Sequence, residues 1–114
     1  MSDCIFCKIV QGEIPAKVVY EDEKVIAFED IKPAAPVHVL IIPKQHIDCV
    51  SQLDEQSAKV LPDIFLAINK VAEKLGIKER GFRVIVNNGI EGGQVVFHLH
   101  FHLLGGKTLG SLIV

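Results

Sequence analysis

Apolar residues recur at spacings of three and four through Val60, Leu61, Ile64, Phe65, Ile68, Val71, Ala72 and Leu75. That spacing predicts one apolar helical face, and a helix from about Asp54 to Leu75. Gly76 stands where a left-handed residue would close it, and Pro62 marks either a late start or a kink. Elsewhere the pattern is that of strands. Val18-Val19-Tyr20 and Val25-Ile26-Ala27-Phe28 flank the acidic turn Glu21-Asp22-Glu23-Lys24 and read as a hairpin. Val37 to Ile42 and Phe82 to Val86 predict two more strands, and about Val95 to Leu104 a last one. Residues 4–11 allow a short helix ended by Gly12. The order of elements is that of an α+β domain with an antiparallel sheet of about five strands, one long helix and a short N-terminal helix.

The last strand carries the chemistry. Its residues alternate, so His98, His100 and His102 share one face while Phe97, Leu99, Phe101 and Leu103 share the other, expected to pack on the helix. Neighbouring imidazoles on such a row lie about 6.5–7 Å apart. Histidine titrates near neutrality and serves as nucleophile, acid, base or metal ligand. Two readings follow: a metal site that activates water, or covalent catalysis by a central histidine whose neighbours bind charge. The loop upstream, Asn87-Asn88-Gly89 through Gly92-Gly93-Gln94, allows backbone amides to approach a phosphate. Read alone, it is equally a plain Asn-Gly turn.

Composition narrows the classes. With 114 residues, the chain suits one domain, residues 1–114. Its 49% hydrophobic and 23% charged residues are those of a globular protein. A net charge of -2 argues against a nucleic-acid partner. No apolar run approaches the roughly 20 residues of a membrane span, and no secretory signal is apparent, so a cytoplasmic protein is expected. The three cysteines, Cys4 and Cys7 as C-x-x-C with Cys49 apart, do not form a disulfide framework. The pair suits metal or redox chemistry; Cys49 reads as a small, half-buried hydrophobe.

His98-Leu99-His100-Phe101-His102-Leu103-Leu104 resembles the histidine-triad pattern H-φ-H-φ-H-φ-φ of the HIT family. Further segments agree: Ile5-Phe6-Cys7-Lys8-Ile9, Ile14-Pro15-Ala16-Lys17, Ala27-Phe28-Glu29-Asp30-Ile31, Ala35-Pro36-Val37-His38, Ile42-Pro43-Lys44 with His46, and Gly92-Gly93-Gln94. The chain is most similar to the Hint branch, the histidine triad nucleotide-binding proteins. That resemblance implies a HIT-like fold and a homodimer that hydrolyses purine nucleoside phosphoramidates through a nucleotidyl-histidine. It implies His100 as nucleophile, His98 and His102 as flanking groups on phosphate or leaving group, and His38 as the group orienting the nucleophile. It implies Asp30 on the ribose, Asn87 and the Gly93, Gln94 and Val95 backbone on the phosphate, and Phe6, Ile9, Phe28 and Ile31 around the base. By resemblance to prokaryotic members, Cys4, Cys7, His46 and His98 would hold a structural zinc, with no cofactor required for catalysis. Val95 stands where eukaryotic members carry a serine, leaving only a backbone N–H at that point. The apolar tail from Leu109 to Val114 is expected at a dimer interface or across the site. Besides the hydrolase, two readings stand beside it: a nucleotide-binding module with residual catalysis, and a zinc-dependent hydrolase using the row as ligands.

Overall fold

The structure, a computed structural model, describes residues 3–111, so that part of the expected apolar tail lies outside the described residues. In chain order the elements are α1 (Ile5–Val10), β1 (Val18–Glu21), β2 (Val25–Glu29), β3 (Val37–Pro43), α2 (Leu61–Lys74), β4 (Arg83–Val86) and β5 (Phe101–Gly105). The strands form one five-stranded sheet in the order β1-β2-β3-β5-β4, each pair antiparallel. This is the predicted α+β fold. Among the described residues, no helix is long and apolar enough to cross a membrane.

The hairpin forms because Asp22 closes it. Its Oδ1 accepts from the Lys24 and Val25 amides at 2.8 Å each, and its Oδ2 accepts from the Tyr20 hydroxyl at 2.6 Å. An aspartate bonding the backbone two and three residues on is a local turn device.

The long helix is shorter than the spacing predicts. Val50–Gln52 and Ser57–Val60 are 3₁₀ turns, and the α-helix begins only at Leu61, with Pro62 in its first turn. Proline is tolerated there because the first amides of a helix have no intrahelical acceptor. It therefore marks a start and not a kink. Ile64, Ala67, Ile68, Val71 and Ala72 are buried, and Gly76 ends the turn with φ 76°. Each large apolar side chain so buried contributes roughly 1.5–3 kcal/mol.

The sheet has two different faces. Val25 and Ala27 on β2, Val39 and Ile41 on β3, and Phe101 and Leu103 on β5 pack under α2 as the main core. The opposite face carries Ile26, Phe28, Leu40 and Ile42, covered by Phe6 of α1 in a second cluster. Strand register continues that second face across the sheet. Phe28 pairs with Leu40, Leu40 with His102, and His102 with Ile85. One row thus runs apolar, apolar, histidine, apolar over four strands, with α1 covering only its β2–β3 end.

The last strand corrects the sequence reading. It spans Phe101–Gly105, and not Val95 to Leu104. Both neighbouring ladders end at Phe101, paired to Ile41 on one side and Val86 on the other. Ahead of Phe101 the chain bends, and the Leu99 amide donates to the Ile47 carbonyl at 2.6 Å. Leu99 and Leu103 reach the core as expected, but Phe97 is 39% exposed and does not pack on the helix.

Candidate active site

Each histidine of the triad has a different environment, fixed by backbone partners. His100 Nδ1 lies 2.7 Å from the His98 carbonyl. A carbonyl only accepts, so Nδ1 carries the proton and Nε2 is left with its lone pair. The ring edge meets Phe6 at 5.2 Å between centroids, and Phe6 in turn meets Phe28 at 5.4 Å. Burial pushes the His100 pKa below the ordinary value despite that carbonyl. A buried, neutral imidazole with one free nitrogen is the state a nucleophile requires.

His102 belongs to a relay. The Ala34 amide donates to His38 Nδ1 at 3.0 Å, which leaves the His38 proton on Nε2. His38 Nε2 lies 2.9 Å from His102 Nδ1 and donates to it. The remaining proton of a neutral His102 is therefore on Nε2. Burial lowers the His102 pKa to about 4, with the neighbouring His100 and His38 adding to the effect. Asp30 stands behind, its Oδ2 3.5 Å from His38 Nε2 and its Oδ1 accepting from the Lys32 amide at 2.8 Å. Among the described residues His38 makes no hydrogen bond to His100. The orientation of His100 comes from the His98 carbonyl, while His38 orients His102.

His98 is fully buried and faces away from this pair. Its Nε2 donates to the Pro43 carbonyl at 2.8 Å, so Nδ1 offers a lone pair. That atom lies 3.3 Å from Cys4 Sγ and 3.6 Å from Cys7 Sγ, and Cys7 Sγ is 3.2 Å from His46 Nδ1. The four donor atoms lie within 4.8 Å of one another. Two sulfurs and two nitrogens at such separations fit the edges of a zinc tetrahedron, whose bonds are about 2.3 and 2.1 Å. His46 Nε2 is 2.6 Å from Asp48 Oδ1, so both imidazoles have outer oxygen partners, as metal-bound histidines do. Burial and then the adjoining Cys4 push the Cys7 thiol up; a divalent cation would reverse that by stabilising both thiolates. The residues fit a structural zinc. The three triad rings, by contrast, do not converge as one ligand set: His98 groups with the cysteines, and His102 with Asp30 and His38.

The loop ahead of the triad is less free than its glycines suggest. The Gly93 amide donates to the Ile90 carbonyl and the Gln94 amide to that of Gly89. Gln94 is buried, and its side chain donates to the Asp48 and Val96 carbonyls and accepts from the Gly89 amide. Gln94, whose backbone is expected on the phosphate, uses its side chain to hold the loop in place. The Val95 amide makes no hydrogen bond among the described residues, and its side chain is 89% exposed. Asn87 lines a cavity of about 330 Å³ together with His38 and His102. Ile9 packs against the Phe6–Phe28 cluster, whereas Ile31 is 93% exposed and lies outside it.

Sequence reasoning missed the groups that set the tautomers: the Ala34 amide and the Pro43 and His98 carbonyls, which carry no side-chain signature. Asp48 had a signal in its position two residues after His46.

Known proteins share this fold and much of this sequence. The HIT domain family profile matches residues 11–109. The purine nucleoside phosphoramidase of Escherichia coli is 44% identical over 111 residues, covering 97% of this chain and 93% of that protein. The HIT family hydrolase of Clostridium thermocellum superposes with a TM-score of 0.97 at 57% identity, covering 100% of this chain and 99% of that one. A histidine triad protein from Clostridium difficile has a TM-score of 0.96 at 47% identity, covering 99% and 98%.

Proposed function

Because the chain belongs to the HIT family, we propose that residues 1–114 form a single HIT domain that hydrolyses purine nucleoside 5'-phosphoramidates. In these substrates a nucleotide is joined to an amine through a P–N bond. One observation carries this reading: His100 presents a bare Nε2 while the adjoining His102 holds its proton on Nε2. A nucleophile and a proton carrier stand side by side, with ring centroids 5.1 Å apart.

The base would enter against Phe6, Phe28 and Ile9, the ribose hydroxyls would bond Asp30, and the phosphate would meet Asn87 and the Val95 amide. The phosphate anion raises the proton affinity of His102, which takes up a second proton from solvent as substrate binds and, as an imidazolium, can give up the one on Nε2. The His100 Nε2 lone pair forms a bond to phosphorus as the P–N bond breaks. The P–N electron pair leaves with nitrogen, which takes the His102 proton and departs as the amine. Water then attacks phosphorus and returns one proton to His102. The phosphorus–His100 bond breaks, its pair returning to Nε2, and the nucleotide is released.

Cys4, Cys7, His46 and His98 would hold zinc, which supplies a structural tie between the N-terminal helix and the segment entering β5. Phe65 and Leu66 on α2 and Val86 on the edge strand β4 are exposed apolar residues, which supports a homodimer. A cytoplasmic location completes the reading.

The test is AMP release from an AMP–amine phosphoramidate by the pure protein and by His100→Ala. Turnover by the first and none by the second is expected. Tight nucleotide binding with no turnover would favour a binding module, a reading kept open by the missing hydroxyl at Val95.

A further inference from the structure

The sheet face that bears His102 is divided into two sides. Toward β2 lie Phe28, Leu40 and, under α1, Phe6, the apolar side suited to a base. Toward the other edge β4 follows, with Ile85 paired to His102 and Arg83 paired to Leu104. Arg83, Ile85 and His102 therefore share this face. There the cavity of about 330 Å³ is lined by His38, His102 and Asn87 together with Arg83 and Lys107. A second cavity, of about 510 Å³, shares Arg83 and Lys107 as its wall and adds Arg80.

The charge of these walls is one-sided. No aspartate or glutamate lines either cavity. Elsewhere Lys17 pairs with Glu29, Lys24 with Asp63 and Lys44 with Glu21, while the remaining lysines form no ion pair among the described residues. Among the described residues Arg80, Arg83 and Lys107 form no ion pair, and Arg83 is held only by one bond to the Gly110 carbonyl, at 2.6 Å. In a chain of net charge -2, what sets these three cations apart is their placement: they line two adjoining cavities that no acidic residue lines, one of them reaching a candidate proton donor.

We propose that this cavity receives the leaving group, and that the preferred leaving amine carries an anionic group bound by Arg83 and Lys107. The inference rests on the phosphoramidate reading and deepens it. Displacement at phosphorus needs the departing nitrogen near His102 and its substituent on the side away from the base. That side is the β4 side. Arg83 is the diagonal neighbour of His102 across the β4–β5 ladder, roughly 7–8 Å away, so an amine with a two-carbon spacer places a carboxylate within reach of the long Arg83 side chain. A guanidinium fork matches a carboxylate or phosphate in two parallel hydrogen bonds, and Lys107 adds a point charge.

The experiment compares two AMP phosphoramidates, one made with β-alanine and one with β-alaninamide, which differ by a carboxylate against a neutral carboxamide. A third probe, made with 2-aminoethyl phosphate, distinguishes a carboxylate site from a phosphate site. For the wild type, kcat/KM for the better anionic probe should exceed that of the carboxamide by about tenfold. The ratio should fall as salt is raised, because the attraction is partly exposed. In Arg83→Gln with Lys107→Gln the ratio should collapse to about one, and Arg83→Lys should keep part of it. Lys107→Gln alone, at an exposed position, gives a partial loss without a question of folding. A wild-type ratio of one or less, or a ratio that survives the double substitution, overturns the subsite while the hydrolase reading stands. Failure of the wild type to cleave all three probes overturns the hydrolase reading and the subsite with it.

Discussion

His38 Nε2 and His102 Nδ1 lie 2.9 Å apart, and the proton between them belongs to His38 because its other nitrogen already accepts from the Ala34 amide. A backbone amide thus sets the tautomer of a ring two strands away in the chain order, on β5. The relation resembles the way an outer partner orients a metal-bound or catalytic imidazole.

Replacing His38 should therefore act through His102. In His38→Ala, His102 loses the donor that holds its Nδ1 and turns freely, and kcat should fall about 10- to 100-fold with a smaller change in KM. His38→Gln, which can still donate toward Nδ1, should recover part of the loss. Steady-state kinetics on an AMP phosphoramidate measures both. An unchanged kcat in His38→Ala would remove the relay from the chemistry.

The pH dependence of stability follows from His102. Its pKa is lowered by burial to about 4 in the folded protein, against about 6.5 in an unfolded chain. Between those values the unfolded state binds more protons, so stability rises with pH there and is level above. Denaturant midpoints should hold steady from pH 8 to 7 and decline from about pH 6.5 toward 4. His102→Asn should decline less steeply over the same window, and the difference between the two curves isolates this group from others that titrate.

How much of this was legible beforehand depends on which atoms carry the information. Side-chain patterns were readable: the alternation that placed Leu99 and Leu103 inward, the spacing behind α2, and the close grouping of Cys4, Cys7, His46 and His98 implied by family resemblance. The helix start was misjudged because apolar spacing continues through Val60 and Leu61 whether the turn is 3₁₀ or α. The start of β5 was misjudged because alternation says nothing about whether neighbouring strands are present, and both end opposite Phe101. Family resemblance puts the Gln94 backbone on the phosphate; what its side chain does rests on the Gly89 amide and the Asp48 and Val96 carbonyls, which no sequence pattern exposes. Arg83 and Lys107 are invisible as a pair because they stand 24 positions apart, and only the β4–β5 pairing and the chain beyond it bring them to one cavity.

The Cys4, Cys7, His46 and His98 group should behave as a staple. The wild type is expected to carry about one zinc per chain, by elemental analysis, and Cys7→Ser to lose it. The melting temperature of Cys7→Ser should drop by several degrees as α1 loosens from the catalytic segment. Turnover at low temperature should persist, since His100 and His102 lie outside the ligand set. A loss of turnover in step with the metal would instead assign it the chemistry.

Gly92 tests the loop independently of the histidines. A Cβ there would collide with the Asn88 carbonyl, which is backbone and cannot move aside cheaply. The Asn88 side chain accepts from the Ser51 amide at 2.8 Å, so the strain reaches the segment ahead of α2. Gly92→Ala should raise KM several-fold and destabilise the protein by about 1–3 kcal/mol, whereas Gly89→Asn, at a φ of 77° that asparagine adopts more readily than most residues, should be milder. Kinetics and denaturation on the two variants compare them directly.

Val95 is the last position the geometry marks. Its side chain is 89% exposed and packs on nothing that a smaller residue would vacate, while its amide has no partner among the described residues. Val95→Ser adds a hydroxyl able to donate to a phosphate oxygen or to the leaving nitrogen without opening a cavity in the core. Stability should change by less than about 0.5 kcal/mol, as at other exposed sites. Turnover of an AMP phosphoramidate should rise by up to about tenfold, the worth of one further hydrogen bond to a charged group. If kcat stays at the wild-type value while stability is unchanged, the hydroxyl does not reach the reacting group, and the Val95 amide alone defines that end of the phosphate site.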